Sequence, residues 1–270
     1  MSTQAIIFER PTSGAANPVL RLRTFGGLHI ERVAELIDPS VGQRRKLAVM
    51  ALLAASGDGV SRERLVGLLW SECDEERARH TFAQLLHALR RAAGADVTSG
   101  SPTSLRLNPD VVTSDVADFE SAIARQNYLE AVRLYRGAFL DGFYLNGCPE
   151  FERWVEEHRA ALGRKAERAI EALATRAGAA GDARQAAEWW LHLSLLRPLD
   201  SRITLELMQA TVAAGDHATA LGYARAHEKL LLSELDAAPP PALTAYAASL
   251  RAASWSAHAG ATDRARLRVL

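Results

Sequence analysis

The 270-residue chain has few of the features that mark membrane, secreted or metal-stabilised proteins. Its longest apolar run, residues 47–55, has nine residues, whereas a membrane-spanning helix needs about 20. The two cysteines, Cys73 and Cys148, form no CxxC pair and have no histidine at ligand spacing, so neither a disulfide framework nor a structural zinc site is expected. The N-terminus lacks the basic start and apolar run of a secretory signal. We therefore expect a cytoplasmic protein without a membrane or metal partner.

Motifs of catalysis are also missing. The chain contains no P-loop, GxGxxG, HExxH or nucleophile-elbow sequence. Its acids and histidines are spread along predicted helices without the convergent spacing of an active site. The sequence therefore predicts a protein that is not an enzyme and that carries no cofactor.

The net charge of zero conceals an uneven distribution. Residues 1–114 carry 14 Lys and Arg against 12 Asp and Glu, and residues 115–250 carry 14 against 19. A mildly basic N-terminal segment and an acidic C-terminal segment suit a polyanion-binding domain joined to a domain that avoids nucleic acid. A length of 270 residues accommodates two domains, and the low aromatic content of 6% favours helix.

One stretch, residues 76–93, has the strongest helical pattern. Four apolar residues recur at i, i+3, i+4 and i+7 and predict a buried stripe: Phe82, Leu85, Leu86 and Leu89. The opposite face carries five hydrogen-bond donors and no acid: Arg77, His80, Gln84, His87 and Arg91. Such a face suits the major groove of DNA, where Arg recognises guanine and Gln recognises adenine. The alternative is an ordinary solvated helix surface.

The surrounding elements favour the DNA hypothesis. Residues 19–25 and 28–30 predict a strand hairpin, and residues 41–55 and 61–70 predict two helices, with Ser61 as an N-cap. After the third helix, which ends at Gly94, residues 96–98, 105–107 and 111–113 predict short strands of a wing. This order is typical of a winged helix-turn-helix domain, which we place at residues 19–113 after a flexible tail of residues 1–18.

The second half is predicted to be continuous helix, so the fold class is mainly α with small β-sheets. Ala-Gly-Asp occurs at residues 180–182 and again 34 residues later at 214–216, a period typical of the tetratricopeptide (TPR) helix pair. Ala186, Ala220 and the two tryptophans at 189 and 190 are expected mainly to pack helices together. We place this TPR-like domain at residues 114–253, and a flexible basic tail at 254–270. Stacked helix pairs leave a concave groove that usually binds a peptide or protein.

Several blocks resemble the Streptomyces antibiotic regulatory protein (SARP) type of regulator. Its winged-helix half is matched by QRRK at 43–46, VSRERL through LLW at 60–70, and RAR through LRR at 77–91. Its bacterial transcriptional activator domain (BTAD) is matched by four features: YRGAFLDGF at 135–143, ERWV at 152–155, the Ala-Gly-Asp repeats, and LDAAPPP at 235–241. The resemblance covers about residues 19–250, and both halves occur in the family's order.

The resemblance implies a bacterial activator that binds repeated promoter sites in double-stranded DNA and recruits RNA polymerase. The family's third helix enters the major groove, and this role carries over to Arg77, Arg79, His80, Thr81, Gln84, His87 and Arg91. The family's loop before that helix touches polymerase, and this role carries over to residues 71–75, with Glu72, Asp74 and Glu75 as its acids. Helix-terminus electrostatics explains those acids equally well.

The chain departs from the family pattern at a few positions. Ala83 and Ala88 stand where basic or polar residues are common, and the predicted wing tip carries no base, which leaves Arg106 as the wing candidate. Three bases at a helix N-terminus oppose the helix dipole, so either a nearby anion such as DNA or simple solubility explains them: Arg44, Arg45 and Lys46.

A different class of function is an interaction adaptor whose winged helix does not bind DNA, and the small basic excess of residues 1–114 favours it. The resemblance suggests side-by-side monomers on direct repeats, and a dimer on DNA is the alternative. The 270 residues contain no receiver or ATPase segment. Control is therefore expected through the helical half, a partner, or a C-terminal extension missing from the sequence.

Overall fold

The computed structural model describes residues 20–32, 35–37 and 44–252. The two predicted tails, residues 1–18 and 254–270, lie outside the described residues. The described chain is mainly helical with small sheets near its N-terminus, which confirms the predicted fold class. The chain divides into two compact units. Unit 1 comprises residues 1–125 and 133–162, and unit 2 comprises residues 126–132 and 163–270.

The first sheet has four strands in the order β3-β2-β1-β7. Its strands are β1 (Leu20–Arg23), β2 (His29–Arg32), β3 (Glu35–Ile37) and β7 (Val112–Ser114). The antiparallel β1–β2 hairpin confirms the prediction. The assignment of residues 111–113 to the wing is wrong, because β7 pairs in parallel with β1. Apolar burial explains this placement: Val112 is 3% exposed beside Leu20, which is 4% exposed.

Three helices follow the hairpin, as predicted. They are α1 (Arg44–Ala55), α2 (Arg62–Leu69) and α3 (Glu75–Ala93), with the short strand β4 (Val60–Ser61) before α2. The side chain of Ser61 accepts a hydrogen bond from the backbone N of Arg64, which confirms Ser61 as an N-cap. Gly94 ends α3 in the left-handed conformation that glycine adopts without strain. Residues 41–43, predicted to begin α1, lie outside the described residues.

The wing is a hairpin of β5 (Thr98–Gly100) and β6 (Ser104–Leu107), and β4 completes its sheet in the order β4-β6-β5. Strand β5 begins at residue 98 rather than at residue 96, and the turn between the two strands comprises residues 101–103. Gly100 has φ +137°, and a Cβ built there would lie 2.3 Å from the carbonyl oxygen of Ser104. Only glycine permits this close approach of the two strands.

The segment after the wing continues unit 1, except for residues 126–132, which belong to unit 2. It begins with α4 (Asp115–Ala124) and α5 (Tyr128–Leu134) and continues through residues 135–148 into the long helix α6 (Pro149–Ala179). The backbone N of Leu140 donates to the carbonyl of Thr24 at 2.8 Å, and that of Gly26 donates to Ala138 at 3.0 Å. Residues on both sides of the predicted domain boundary at 113/114 therefore share one core in unit 1.

A buried carboxylate fixes this junction. Asp115, 3% exposed at the start of α4, accepts hydrogen bonds from the backbone N atoms of Thr24 (2.9 Å) and Phe25 (3.2 Å). It also accepts one from the Thr24 hydroxyl at 2.6 Å. Because a buried carboxylate needs several donors to offset its lost hydration, this contact specifies where α4 meets the end of β1.

Unit 2 contains the predicted repeat. Its helices are most of α5, the second part of α6, α7 (Ala183–Leu196), α8 (Ser201–Ala213), α9 (His217–Leu235) and α10 (residues 241–252). The α6–α7 and α8–α9 turns are equivalent. Gly181 and Gly215 both have positive φ, +80° and +91°. The aspartate after each glycine caps the next helix, accepting from the backbone N atoms of Gln185 and Thr219 respectively.

The small residues of the repeat serve helix packing, as predicted. Ala186 and Ala220, 34 residues apart, are 2% and 0% exposed. Trp190 is buried in a cluster that α6, α7 and α8 share, and Trp189 packs against that cluster half-buried. Helix α9 ends at Leu235, ahead of the proline run at residues 239–241.

Candidate nucleic-acid interface

The inner face of α3 anchors this helix in unit 1. Ala78, Phe82 and Leu89 are buried, and the Trp70 ring lies edge-on against the Phe82 ring with centroids 5.9 Å apart. Leu85 and Leu86, predicted to be buried with Phe82 and Leu89, are half-buried. At 100° per residue, Ala78 lies closer to the centre of this face than Leu86 does. This geometry explains why Leu86 is less buried than predicted.

The outer face of α3 carries the five predicted donors. All five are exposed: Arg77, His80, Gln84, His87 and Arg91. From residue 77 to residue 93 the helix has no acidic side chain. Within the described part of the chain the guanidinium groups of Arg77 and Arg91 make no ion pair. The face therefore presents uncompensated positive charge, and its contact with DNA stays a prediction.

Some side chains of α3 are already engaged within the helix. The Nε2 atoms of His80 and Gln84 lie 2.9 Å apart, and the Thr81 hydroxyl donates to the Arg77 carbonyl. Arg79, also exposed, pairs with Glu75 one turn earlier. The half-buried Thr81 and the paired Arg79 are thus less available for a ligand than Arg77 and Arg91.

The acids before α3 have local structural roles. Asp74 is the N-cap of α3 and accepts from the backbone N atoms of Glu76 (3.0 Å) and Arg77 (3.3 Å). Glu75 is engaged by Arg79, whereas Glu72 is exposed in the loop. Helix capping accounts for Asp74, and the predicted polymerase contact of Glu72, Asp74 and Glu75 stays a prediction.

The bases of α1 lie beside aromatic rings. The guanidinium carbon of Arg44 lies 5.2 Å from the Phe143 ring centroid, and that of Arg45 lies 5.5 Å from the Trp70 centroid. A cation over an aromatic face is attracted by the ring's quadrupole. The aromatic neighbours account for two of the three bases. Lys46 is half-buried, and DNA contacts by all three stay predictions. Sequence reasoning missed these contacts, because Phe143 is about 100 residues away along the chain.

The wing carries one exposed base. Arg106 is exposed on β6, opposite Ser99 of β5, and its Nε donates to the Ser99 hydroxyl at 3.3 Å. The turn at 101–103 is neutral, and the Ser101 hydroxyl accepts backbone hydrogen bonds from Thr103 and Ser104. Arg106 therefore remains the wing's candidate for a phosphate contact.

A groove of about 480 Å³ lies between α2, the first turns of α3 and the wing turn. Its lining includes the apolar side chains of Val66, Trp70 and Phe82 and the charged side chains of Glu63 and Arg79. This composition suits an apolar side chain of a partner protein better than a nucleic acid. The sequence gives no direct signal for this groove, because its walls come from three separate elements.

Comparison with known proteins assigns the family. Residues 112–251, just over half of the chain, match the family model of the bacterial transcriptional activator domain. The chain belongs to this family. The predicted SARP-type relationship is thereby confirmed. No curated protein sequence matches the chain.

A solved structure supports the fold of this BTAD-family protein. The structure of Mycobacterium tuberculosis EmbR in complex with a low-affinity phosphopeptide is similar, with a TM-score of 0.59 and 22% sequence identity. The match covers 87% of this chain and 65% of the EmbR chain, so the present chain spans slightly less than two thirds of its neighbour. Over the residues that the structure describes, every helix is too short or too polar to cross a bilayer.

Proposed function

We propose that this regulator is a sequence-specific DNA-binding activator that reads repeated promoter sites through α3 and recruits RNA polymerase. The observation that carries the proposal is the exposed, acid-free face of α3, a helix that the β5–β6 hairpin follows along the chain. An α-helix fits the width of the major groove, and the N-terminal part of a recognition helix usually contacts base edges.

Each side chain of this face has a chemical role in the proposal. Arg77 and Arg91 donate to guanine or to phosphates, Gln84 offers an amide to adenine, and the two histidines donate to either. Arg106 on the wing contacts a phosphate of the neighbouring backbone. Phosphate contacts set the position on the duplex, whereas base contacts select the sequence.

RNA polymerase is the second proposed partner. The exposed acid of the loop before α3, Glu72, and the apolar groove behind this loop support a protein contact at this place. Unit 2 is proposed to take a peptide or protein partner, and exposed leucines at the ends of its helices support this: Leu195, Leu232 and Leu235. Acting on promoters places the protein in the cytoplasm of a bacterium.

DNA binding is tested by fluorescence anisotropy with duplexes, first selected from a random pool and then compared with the region upstream of the protein's own gene. We expect the logarithm of affinity to fall linearly with the logarithm of salt concentration, with a slope of about 0.9 per phosphate contact. The double variant Arg77→Ala with Arg91→Ala should lose specific binding, because it removes the two unpaired bases of the face.

The matched control removes two exposed arginines of α6 at helical spacing, Arg164→Ala with Arg168→Ala. This pair has the same charge change but lies in unit 2, so specific affinity should remain unchanged. Equal losses in both double variants would show that only net charge matters. Absence of any selected duplex would reject the proposal.

The adaptor hypothesis has one observation in its favour, the excess of only two bases over acids in residues 1–114. An adaptor would capture protein partners from a lysate and would bind duplexes only with the weak, sequence-independent affinity of a basic surface. The same anisotropy experiment separates the two functions, because only an activator discriminates a selected duplex from a scrambled one.

A further inference from the structure

The turn between α2 and α3 is organised around one tryptophan. Trp70 ends α2, is 4% exposed, and donates from its backbone N to the carbonyl of Val66 at 2.8 Å. Its ring packs edge-on against Phe82, the central buried residue of α3. Its carbonyl accepts from the backbone N of Cys73 at 3.0 Å, where the chain turns towards α3. The position of Trp70 therefore sets where α3 lies.

Two side chains from other elements hold this turn. Cys148, 1% exposed, lies just before α6, and its thiol donates to the carbonyl of Leu69 at 3.3 Å. Leu69 is the last residue of α2, so its carbonyl is one of the acceptors that a helix end leaves without an intrahelical donor. Arg45 of α1 lies over the Trp70 ring, and its Nη2 is 3.9 Å from the Cys148 sulfur. The thiol thus donates to one neighbour and accepts from the other.

The segment that carries Cys148 is itself firmly placed within unit 1. The Phe143 and Phe151 rings pack edge-on with centroids 6.1 Å apart, and Phe151 stacks on Trp154 at 5.9 Å. The backbone N of Leu145 donates to the carboxylate of Glu152 at 2.7 Å. The first turns of α6 therefore give Cys148 a rigid support, and the thiol does not rely on a mobile loop.

We infer that Cys148 and Arg45 are positioning residues for α3, so that the DNA-reading unit extends beyond the winged helix into the activator-domain segment that precedes and begins α6. This inference rests on the proposed function. Neither residue touches DNA in it. Both act through the α2 end and Trp70, which hold the inner face of α3 and thereby orient its outer face.

The central test compares Cys148→Ala with Cys148→Ser in the full chain. Alanine removes the donor and leaves the Leu69 carbonyl unpaired, whereas serine keeps a hydroxyl donor. A lost hydrogen bond weakens the selected-duplex affinity of the alanine variant by about threefold to tenfold, and serine restores most of the affinity. Cys73→Ala, at the exposed thiol of the neighbouring loop, is the matched control and leaves affinity unchanged.

Two further readouts separate positioning from loss of charge. The salt slope stays that of the wild type in Cys148→Ala, because no phosphate contact is removed, while the ratio of selected to scrambled affinity falls. Arg45→Met lowers the same ratio, and Arg45→Lys, which keeps a cation over the ring, retains more of it. A proportional loss on both duplexes, or a shallower slope for Arg45→Met with an unchanged ratio, would overturn the inference.

A DNA-independent measurement keeps this inference separate from the proposed function. Backbone hydrogen exchange of α3 is expected to accelerate in Cys148→Ala but not in Cys148→Ser or Cys73→Ala. Unchanged exchange in Cys148→Ala would reject the positioning role even if the wild type binds DNA. Faster exchange in a protein that selects no duplex would keep the positioning role and reject the proposed function instead.

Discussion

At the scale of single residues, two glycines let distant parts of the chain meet. A Cβ built on Gly137 would lie 2.9 Å from the Cα of Gly26, so the two backbones leave no room for a side chain. Gly26 has φ +74°, whereas Gly137 is not in the left-handed region. The constraint at Gly137 is therefore steric.

Gly137→Ala is expected to destabilise the protein by about 1–3 kcal/mol, because the methyl group must push two backbones apart. Thermal and urea unfolding, followed by circular dichroism, measure the change. Gly222→Ala in α9, where an added Cβ meets nothing within 4 Å, is the control and should stabilise by up to about 1 kcal/mol. Equal stability of the Gly137 variant and the wild type would contradict the close approach.

At the scale of elements, Asp74 at the start of α3 has two possible roles. Its carboxylate caps the helix, and its charge is proposed to face polymerase. Asparagine caps a helix about as well as aspartate but is neutral, whereas alanine does neither. The two substitutions therefore separate the local role from the partner role.

We expect Asp74→Ala to cost about 1 kcal/mol of stability, and Asp74→Asn to keep both stability and duplex affinity. If the charge meets polymerase, Asp74→Asn should still lower activation in an in vitro transcription assay on a promoter that carries the selected site. Normal activation by this variant, with normal DNA binding, would leave capping as the role of Asp74.

Local patterns made most elements predictable. The helix predicted at residues 76–93 matches α3 within one residue, since its periodicity and the Gly94 that ends it are local signals. The Ala-Gly-Asp turns were predictable for the same reason. Strand β7 was misassigned because its partner is non-local: Leu20 pairs with Val112. Three-residue strands carry little pattern of their own.

At the scale of the whole molecule, two half-buried or buried histidines link stability to pH. His227 of α9 is 5% exposed, accepts from the Ser201 hydroxyl at Nε2 (2.7 Å) and donates from Nδ1 to the Pro198 carbonyl (3.1 Å). Burial lowers its pKa below the ordinary value of 6.5, against the opposing effects of that carbonyl and of Asp200. Burial also lowers the pKa of His158 in unit 1.

A lowered pKa in the folded state means that the unfolded chain binds protons first as the pH falls. The free energy of unfolding should therefore hold above about pH 6.5 and decline as the pH drops from there through the folded pKa values. Urea unfolding at several pH values between 7 and 5 measures the decline. His227→Gln should make it shallower, and His192→Gln, at an exposed position, should not. If the free energy of unfolding fell equally with pH in the wild type and both variants, His227 would be excluded as a cause of the decline.

The same distinction between local and distant pairing explains which site features the sequence could predict. The exposed donors of α3 follow from one helical period. Two contacts join residues from separate elements: the hydrogen bond from Cys148 to Leu69 and the cation–π contact of Arg45 with Trp70. No short sequence pattern predicts either of them. Only the folded chain shows which neighbour each of these side chains meets.

The parallel pairing of β1 with β7 also bears on how this protein folds during translation. Arg21 and Thr113, side by side across these strands, are separated by 92 positions in the chain. At a translation rate of about 5–20 residues per second, roughly 5–18 s pass between the synthesis of the two strands. During that interval the edge of β1 that later pairs with β7 has no partner strand. An unpaired strand edge can pair with another chain, so slower translation of this stretch lengthens the time in which copies on one polysome can aggregate.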